Sequence, residues 1–161
     1  AFCAPGGYIY VYTGLIKFLD YEDELAGVMG HEIAHADLRH STQQLTQAYG
    51  VATLLGILLG EDPGLLAEIA AGLTSLSFSR SDEAESDMAS VDYLCATDYA
   101  ADGTAGFFEK LEGVEVPEFL STHPSSDSRV EDITAYALEQ GCDVTYNPNS
   151  DYQALIDSLP E

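Results

Sequence analysis

The sequence predicts an α+β fold that is predominantly α-helical, with one small sheet near its start. Residues 7–13 alternate in the manner of a strand, and most later segments carry apolar residues three and four positions apart. The chain has 161 residues and 46% hydrophobic content, which suits one compact domain. We therefore expect a single domain over residues 1–161, without internal repeats or an internal linker.

The alternating stretch places Tyr8, Tyr10 and Tyr12 on one set of positions, with branched aliphatic residues between them. This period of two predicts a strand that shows different faces to the core and to solvent. Gly14 is predicted to end it.

The first long helix is predicted to begin at Glu22, where apolar residues start to recur at helical spacing. Three acidic residues at positions 22–24 complement the positive end of the helix dipole. Residues 48–60 are also strongly apolar, but they are too few to span a bilayer, and Asp-Pro-Gly at 62–64 interrupts them. We expect residues 48–60 and 65–78 to pack as a helical hairpin, or else to cover a cleft or touch a membrane surface.

The second half of the chain is predicted to be helical as well. Ser79 and Asp82 have the spacing of a capping box, which predicts a helix from there to about residue 97. A turn at residues 102–103 precedes another helix through Leu111, and a further helix is expected over residues 126–140, with Gly141 as its C-terminal stop. A polar tail with one short helix follows.

The chain is strongly acidic, with 28 Asp plus Glu against 5 Lys plus Arg and a formal net charge of −23. Such a charge repels phosphate backbones and anionic lipid headgroups, so we expect no nucleic-acid partner. The acidity fits either a solvated surface suited to high salt or the attraction of cationic substrates or calcium.

The three cysteines show no C-x-x-C spacing, which argues against a zinc knuckle or a thioredoxin-like pair. If a disulfide forms, we expect it between Cys95 and Cys142, because each follows a predicted helix. Such a bond is compatible with an exported protein and not with a cytosolic one.

Residues 31–35 read His-Glu-Ile-Ala-His, the H-E-x-x-H pattern, on the first long helix. The spacing of four stacks His31 and His35 on one helical face, where a single zinc ion can bridge them, and places Glu32 beside the metal. A catalytic zinc site needs a third protein ligand and an open position for water. The motif therefore calls for one more ligand from another element.

The helix that opens at residue 80 offers that ligand. Glu83 and Asp87 are four residues apart and share a face, so Glu83 can bind zinc while Asp87 accepts a hydrogen bond from a ligand histidine. The alternative for Glu83 is a carboxylate that merely complements the helix dipole. With zinc held by two histidines and a glutamate, bound water has a pKa of about 7, and Glu32 is the predicted general base for peptide-bond hydrolysis.

Several motifs together resemble peptidase family forty-eight, the HtpX, BepA and CAAX prenyl protease family. They are residues 4–10 (APGGYIY), residues 30–35 (GHEIAH) with 39–40 (RH), residues 79–80 (SR) with Glu83 and Asp87, and residues 122–124 (THP) with Arg129. The resemblance covers about residues 4–130 and is closer to the soluble, exported bacterial branch than to the multi-spanning ones. It implies a gluzincin metallopeptidase domain with a small edge-strand sheet above the active-site helix, and a chain that is a fragment lacking the family's upstream elements.

The resemblance also implies one zinc ion per chain, held by His31, His35 and Glu83, and a function in cleaving unfolded or misassembled envelope proteins. His123 matches a family histidine near the metal that stabilises the oxyanion or closes a latent site, and Arg129 matches a nearby arginine. The alternative for His123 is an exposed loop position. His40 also matches the family, but it follows His35 by five residues, so we expect it to face away from the zinc and to be structural.

The remaining expectations concern substrate and location. Tyr8, Tyr10 and Tyr12 lie on the strand along which an extended polypeptide substrate would add by main-chain hydrogen bonds, although these tyrosines equally suit simple packing. We expect an extracytoplasmic or periplasmic location, or association with the outer side of a membrane. Association with a membrane surface or an envelope complex is also expected, while the oligomeric state is left open.

Two other functions remain as alternatives. The first is a latent, zinc-bound chaperone-like or protein-binding module of the same family, in which His123 or the apolar hairpin fills the open position. The second is a helical domain in which the H-E-x-x-H pattern is accidental and either a structural metal or no metal is bound.

Overall fold

The computed structural model describes residues 1–4, 6–60, 64, 77–112, 114, 122–124 and 128–160. Within these residues, helices predominate over a single two-stranded sheet, which confirms the predicted α+β class. The elements are β1 (Phe2–Ala4), β2 (Tyr8–Tyr10), α1 (Thr13–Phe18), α2 (Glu22–Asp37), α3 (His40–Tyr49), α4 (Val51–Leu58), α5 (Arg80–Leu94), α6 (Gly103–Leu111), α7 (Arg129–Glu139) and α8 (Ser150–Ser158).

The sheet is an antiparallel hairpin in which Phe2 lies opposite Tyr10 and Ala4 lies opposite Tyr8. Gly6 and Gly7 make the turn with φ of 94° and 82°, a left-handed region that glycine enters without steric cost. The hairpin packs against α2, as expected of a small sheet above that helix.

The predicted strand is longer than the observed one. Tyr12 is already the N-cap residue of α1, and its carbonyl accepts hydrogen bonds from the backbone N–H groups of Leu15 and Ile16. Gly14 therefore lies inside a helix, and the prediction that it ends the strand is wrong.

Helix α2 forms the centre of the domain and contacts α5, α6 and the hairpin. Its start is fixed by Glu24, whose carboxylate accepts hydrogen bonds from the backbone N–H groups of Asp20 at 2.7 Å and Tyr21 at 3.2 Å. Asp23 is buried and accepts from the backbone N–H of Ala100 at 2.8 Å, which ties the start of α2 to the loop before α6. These carboxylates accept hydrogen bonds from backbone N–H groups just before α2 and in the loop before α6.

Glycines bring α2 unusually close to its neighbours. A Cβ atom at Gly27 would overlap the backbone of α6 at Gly103 and Thr104, and one at Gly30 would lie 2.6 Å from Ser90 Oγ on α5. Both helices are thus in close contact with the same turns of α2 that lead into the H-E-x-x-H residues.

Helix α2 ends where Arg39 adopts a left-handed conformation with φ of 62°, and α3 starts at the next residue. Gly50, with φ of 78°, then separates α3 from α4, so residues 48–60 do not form one continuous helix. Among the described helices, none combines the length and apolar character needed to cross a bilayer. Of the apolar segment 65–78, all but the last two residues lie outside the described part of the chain, as do residues 126 and 127 of the helix expected over 126–140.

Among the described residues, buried hydrophobic side chains form two clusters. One packs between α5, α6 and α7 and includes Val91, Leu94, Ala105, Ile133 and Ala137. The other joins α1, α2, α6 and α8 through Leu19, Val28, Phe107 and Tyr152. Cys95 and Cys142 form a disulfide at the edge of the first cluster, which confirms the predicted pair and leaves Cys3 as a free thiol.

Candidate metal and catalytic site

The two histidines of the H-E-x-x-H motif point from α2 toward α5. Their Nε2 atoms lie 3.0 Å apart, and both side chains are buried. Glu83, in the first turn of α5, reaches between them, with Oε1 3.3 Å from His35 Nε2 and Oε2 3.5 Å from His31 Nε2. The structure therefore brings together the three predicted metal ligands from helices nearly fifty residues apart.

His123 joins the same cluster from the short described segment 122–124. Its Nδ1 lies 3.0 Å from Glu83 Oε1 and 3.4 Å from His31 Nε2. One ligand atom from each of the four residues falls within 4.8 Å of all the others, so the set could hold a metal ion. At 1% exposure, His123 is not a surface loop residue.

The donor set fits a zinc ion. A neutral imidazole has one lone-pair nitrogen, and two such nitrogens facing each other beside a carboxylate form a set of convergent electron donors. Two imidazoles and a carboxylate also match the protein ligands of a catalytic zinc site. Glu32 is fully buried, and within the described residues neither of its carboxylate oxygens has a hydrogen-bond partner. A buried carboxylate left in this state is suited to contact water or substrate at the site.

Two further predicted residues, Asp87 and Arg129, contact the candidate ligands on the side away from the centre of the cluster. Asp87 lies one turn after Glu83 and places Oδ1 2.9 Å from His31 Nδ1, the nitrogen opposite the cluster. Arg129, at the start of α7, donates two hydrogen bonds of 2.7 Å to the Asp87 carboxylate, and its Nη1 lies 2.9 Å from Glu83 Oε2. The guanidinium also stacks over the Phe108 ring at 4.0 Å. Asp87 and Arg129 thus orient the candidate ligands.

The charges of the cluster are strongly perturbed. Burial lowers the pKa of His35 to about 3, so this imidazole is neutral at pH 7. Burial also acts to lower the pKa of His31, but hydrogen bonds to Asp87 and Glu83 outweigh it and raise that pKa to about 9, so without a metal this imidazole is protonated at pH 7. A bound metal ion would have to displace that proton before His31 could act as a neutral ligand. Burial would raise the pKa of Glu83, yet its three histidine neighbours hold that pKa far below the ordinary range, so the carboxylate stays ionised.

His40 lies closer to the site than the sequence indicated. Its Nδ1 is 3.0 Å from His35 Nδ1, because the chain turns at Arg39 instead of continuing the α2 helix. As predicted, His40 lies on the far side of His35 from the metal-ligand cluster and is not among its ligand atoms, but it contacts His35 directly. Extending the α2 helix past residue 37 does not predict this contact, because the helix is interrupted at residues 38 and 39.

Phe78 is a site residue that no sequence motif indicated. Its ring stacks on the His35 ring with centroids 3.9 Å apart, and its backbone N–H donates to the carbonyl of Thr122 at 2.9 Å. It therefore positions both a candidate ligand and the segment that carries His123. Its place directly before the capping box was the only signal available.

The predicted substrate tyrosines lie outside the buried cluster: Tyr8 and Tyr10 are on the hairpin, and Tyr12 follows it as the N-cap residue of α1. Tyr8, Tyr10 and Tyr12 are 66%, 53% and 50% exposed. Tyr10 and Phe2 stack across the hairpin with ring centroids 4.9 Å apart. The hairpin thus presents an aromatic surface above α2.

Comparison with known proteins agrees with this geometry. The sequence matches Peptidase family M48 over residues 1–137. It is 35% identical over 133 residues to mitochondrial metalloendopeptidase OMA1 of Arabidopsis thaliana, which covers 80% of this chain and 27% of that protein. It is 29% identical over 143 residues to metalloprotease YcaL of Escherichia coli, covering 83% and 56% of the two chains. It is also 29% identical over 150 residues to the beta-barrel assembly-enhancing protease of Yersinia pestis, covering 82% and 31%.

The matched region therefore spans less than two thirds of each of these relatives. A family match over most of the chain agrees with a buried set of two histidines and a glutamate on two packed helices. The chain belongs to Peptidase family M48.

Proposed function

We propose that this protein is a zinc-dependent metalloendopeptidase that hydrolyses peptide bonds of unfolded or misassembled proteins. The observation that carries the proposal is the convergence of His31, His35 and Glu83 beside a buried Glu32 whose carboxylate has no hydrogen-bond partner among the described residues. These three residues would hold the zinc ion, which would supply a Lewis acid to polarise a peptide carbonyl and to acidify a bound water.

Glu32 is the proposed general base. Glu32 follows His31 on the buried part of α2, which holds its carboxylate at the edge of the ligand cluster. There it can take a proton from water and later give that proton to the leaving amine. Because both oxygens are buried, little water competes for this proton.

His123 is proposed to stabilise the negative charge that develops on the carbonyl oxygen. Its Nε2 lies 3.6 Å from Glu32 Oε1, so the two side chains border the same space next to Glu83. A donor fixed in that place favours the transition state over the ground state.

The polypeptide substrate is proposed to add along the hairpin beside Tyr8, Tyr10 and Tyr12. Main-chain hydrogen bonds to a short strand give affinity with little sequence preference, which suits substrates recognised by their unfolded backbone. The exposed aromatic rings add contact area for apolar side chains of such segments.

A location outside the cytosol, at a membrane surface or within an envelope complex, is part of the proposal. One relative is named a mitochondrial metalloendopeptidase and another a beta-barrel assembly-enhancing protease. The disulfide between Cys95 and Cys142 is consistent with an oxidising compartment.

A latent or binding module is the second candidate, and the position of His123 favours it. Its Nδ1 lies among the ligand atoms of the cluster, so it can take the place that a catalytic site keeps open. The protein would then bind zinc and unfolded chains without turnover.

One experiment separates these functions. Casein hydrolysis is measured with zinc-loaded wild type and with Glu32→Gln, Glu83→Ala and the exposed control Glu139→Gln, at low and high salt. We expect Glu32→Gln to lose activity by about 100-fold or more while retaining zinc, and Glu83→Ala to lose zinc affinity. If the wild-type protein binds zinc but does not cleave casein, the latent module is favoured. If the wild-type protein does not bind zinc, the proposed metal site is rejected.

A further inference from the structure

A buried histidine lies behind His35, on the side away from Glu83. His40 is 3% exposed, and its Nδ1 is 3.0 Å from His35 Nδ1. Because His35 Nε2 faces the ligand cluster, Nδ1 is the nitrogen that remains to fix the ring. The orientation of His35 therefore depends on its contact with His40 and on the stacked ring of Phe78.

The two Nδ1 atoms can form a hydrogen bond only if one carries a proton and the other a lone pair. If His35 Nε2 presents its lone pair to the cluster, its Nδ1–H donates to His40 Nδ1. The His40 proton is then on Nε2, which lies 3.3 Å from Glu85 Oε2. Ser86 Oγ lies 3.3 Å from His40 Nδ1, a longer contact than the 3.0 Å between the two histidine nitrogens, so its hydroxyl is the weaker competitor for that single lone pair.

We propose that His40 is a positioning residue that fixes the tautomer and ring orientation of His35, with Glu85 orienting His40 in turn. This inference rests on the proposed metal site. The two candidate ligands on α2 are then supported differently: the Asp87 carboxylate contacts His31 directly, whereas an imidazole stands between His35 and a surface carboxylate. Hydrogen-bond partners of this kind raise the metal affinity of a ligand histidine because they fix its tautomer and ring orientation before the metal binds.

The first test is zinc affinity, measured by competition with a chromophoric chelator. His40→Leu removes the acceptor, whereas His40→Asn keeps an amide oxygen near the position of Nδ1, and Gln47→Leu is an exposed control on the same helix. We expect His40→Leu to weaken zinc binding by about 10- to 100-fold, His40→Asn to recover most of that loss, and the control to match wild type. Equal affinities for His40→Leu and Gln47→Leu would overturn the proposal.

The second readout is the His35 Nδ1–H proton in the Co²⁺-substituted protein, followed by paramagnetic NMR. It should be protected from solvent exchange in wild type and His40→Asn, and exchange rapidly in His40→Leu. Should His40→Leu not fold, the surface variant Glu85→Gln carries the test, with faster exchange expected and unchanged exchange contradicting the proposal. A wild type that binds neither Zn²⁺ nor Co²⁺ would reject the proposed function itself.

Discussion

Arg129 holds Asp87 by two hydrogen bonds of 2.7 Å, one from Nε and one from Nη2, and both side chains are buried. This bidentate pair links the start of α7 to the helix that carries Glu83. Burial alone would raise the pKa of Asp87, but the bonds to His31 and Arg129 hold it below the ordinary range. The Asp87 carboxylate consequently remains charged inside the protein.

Replacing Arg129 by Met should destabilise the fold strongly, because it leaves the carboxylates of Asp87 and Glu83 buried without their guanidinium. We expect the free energy of unfolding to fall by about 3–5 kcal/mol in urea denaturation of the metal-free protein. Arg39→Met, at an exposed arginine, is the control and should change it by less than about 0.5 kcal/mol. Equal losses in the two variants would contradict the stabilising role of the pair.

The close approach of α2 and α6 gives a second prediction. Gly27→Ala would place a methyl group into the backbone at Gly103 and Thr104, which cannot move away without separating the helices. The expected loss is about 3 kcal/mol or more in thermal or urea unfolding, comparable to severe overpacking. Gly14→Ala is the matched control, since nothing lies within 4 Å of a Cβ there and alanine favours helix α1. A tolerated Gly27→Ala would mean that the two helices are further apart than described.

The disulfide supplies a third prediction, because it closes a loop with a sequence separation of 47. In the chain-entropy description, a loop of this length stabilises the folded state by about 4 kcal/mol. Cys95→Ser with Cys142→Ser should therefore lower the free energy of unfolding by up to about that amount, while Cys3→Ser leaves it nearly unchanged. If the double variant were as stable as wild type, the loop between residues 95 and 142 would already be constrained in the denatured chain without the disulfide.

Cys3 should react slowly with alkylating reagents. Burial, followed by the nearby Glu32 carboxylate, raises the pKa of the Cys3 thiol to about 11, although a hydrogen bond with Ser41 acts in the opposite direction. At pH 8 the thiolate fraction, and with it the rate of iodoacetamide labelling, should be about 100-fold below that of an ordinary thiol with a pKa of 9. The labelling rate should rise with pH until about 11.

The urea-unfolded chain is the reference for this measurement, and Glu32→Gln should lower the pKa by removing the carboxylate. Because the folded pKa exceeds the unfolded one, the contribution of Cys3 to stability is fully present below pH 9 and is lost as pH rises through 11. A labelling rate that is equal in folded and unfolded protein would contradict the described burial.

The helices that the sequence predicted well are those with a clear period and a start signal. Helix α2 begins at Glu22, as its acidic first turn indicated, and α5 begins after Ser79 with both bonds of the capping box in place. Strand β1 and helix α1 were missed, because a three-residue strand and a six-residue helix are too short to show a period. They are formed by pairing and packing and not by local preference.

At the site, the spacing of four on one helix face was enough to bring His31 next to His35, and Glu83 next to Asp87. The contacts that depend on a turn could not be foreseen: His40 returns to His35 through the left-handed Arg39, and Phe78 reaches the same ring from outside any described helix. The bidentate geometry of Arg129 likewise depends on how α7 packs on α5, which no local pattern specifies.

The order of the cluster residues along the chain matters during synthesis. A ribosome that has completed α2 has delivered the H-E-x-x-H residues, but the acidic partner on α5 is still dozens of codons away, and Arg129 later still. Until α5 has docked against α2, the two imidazoles lack the carboxylate that faces them. A growing chain therefore lacks the complete set of candidate ligands until α5 has been synthesised and has packed against α2.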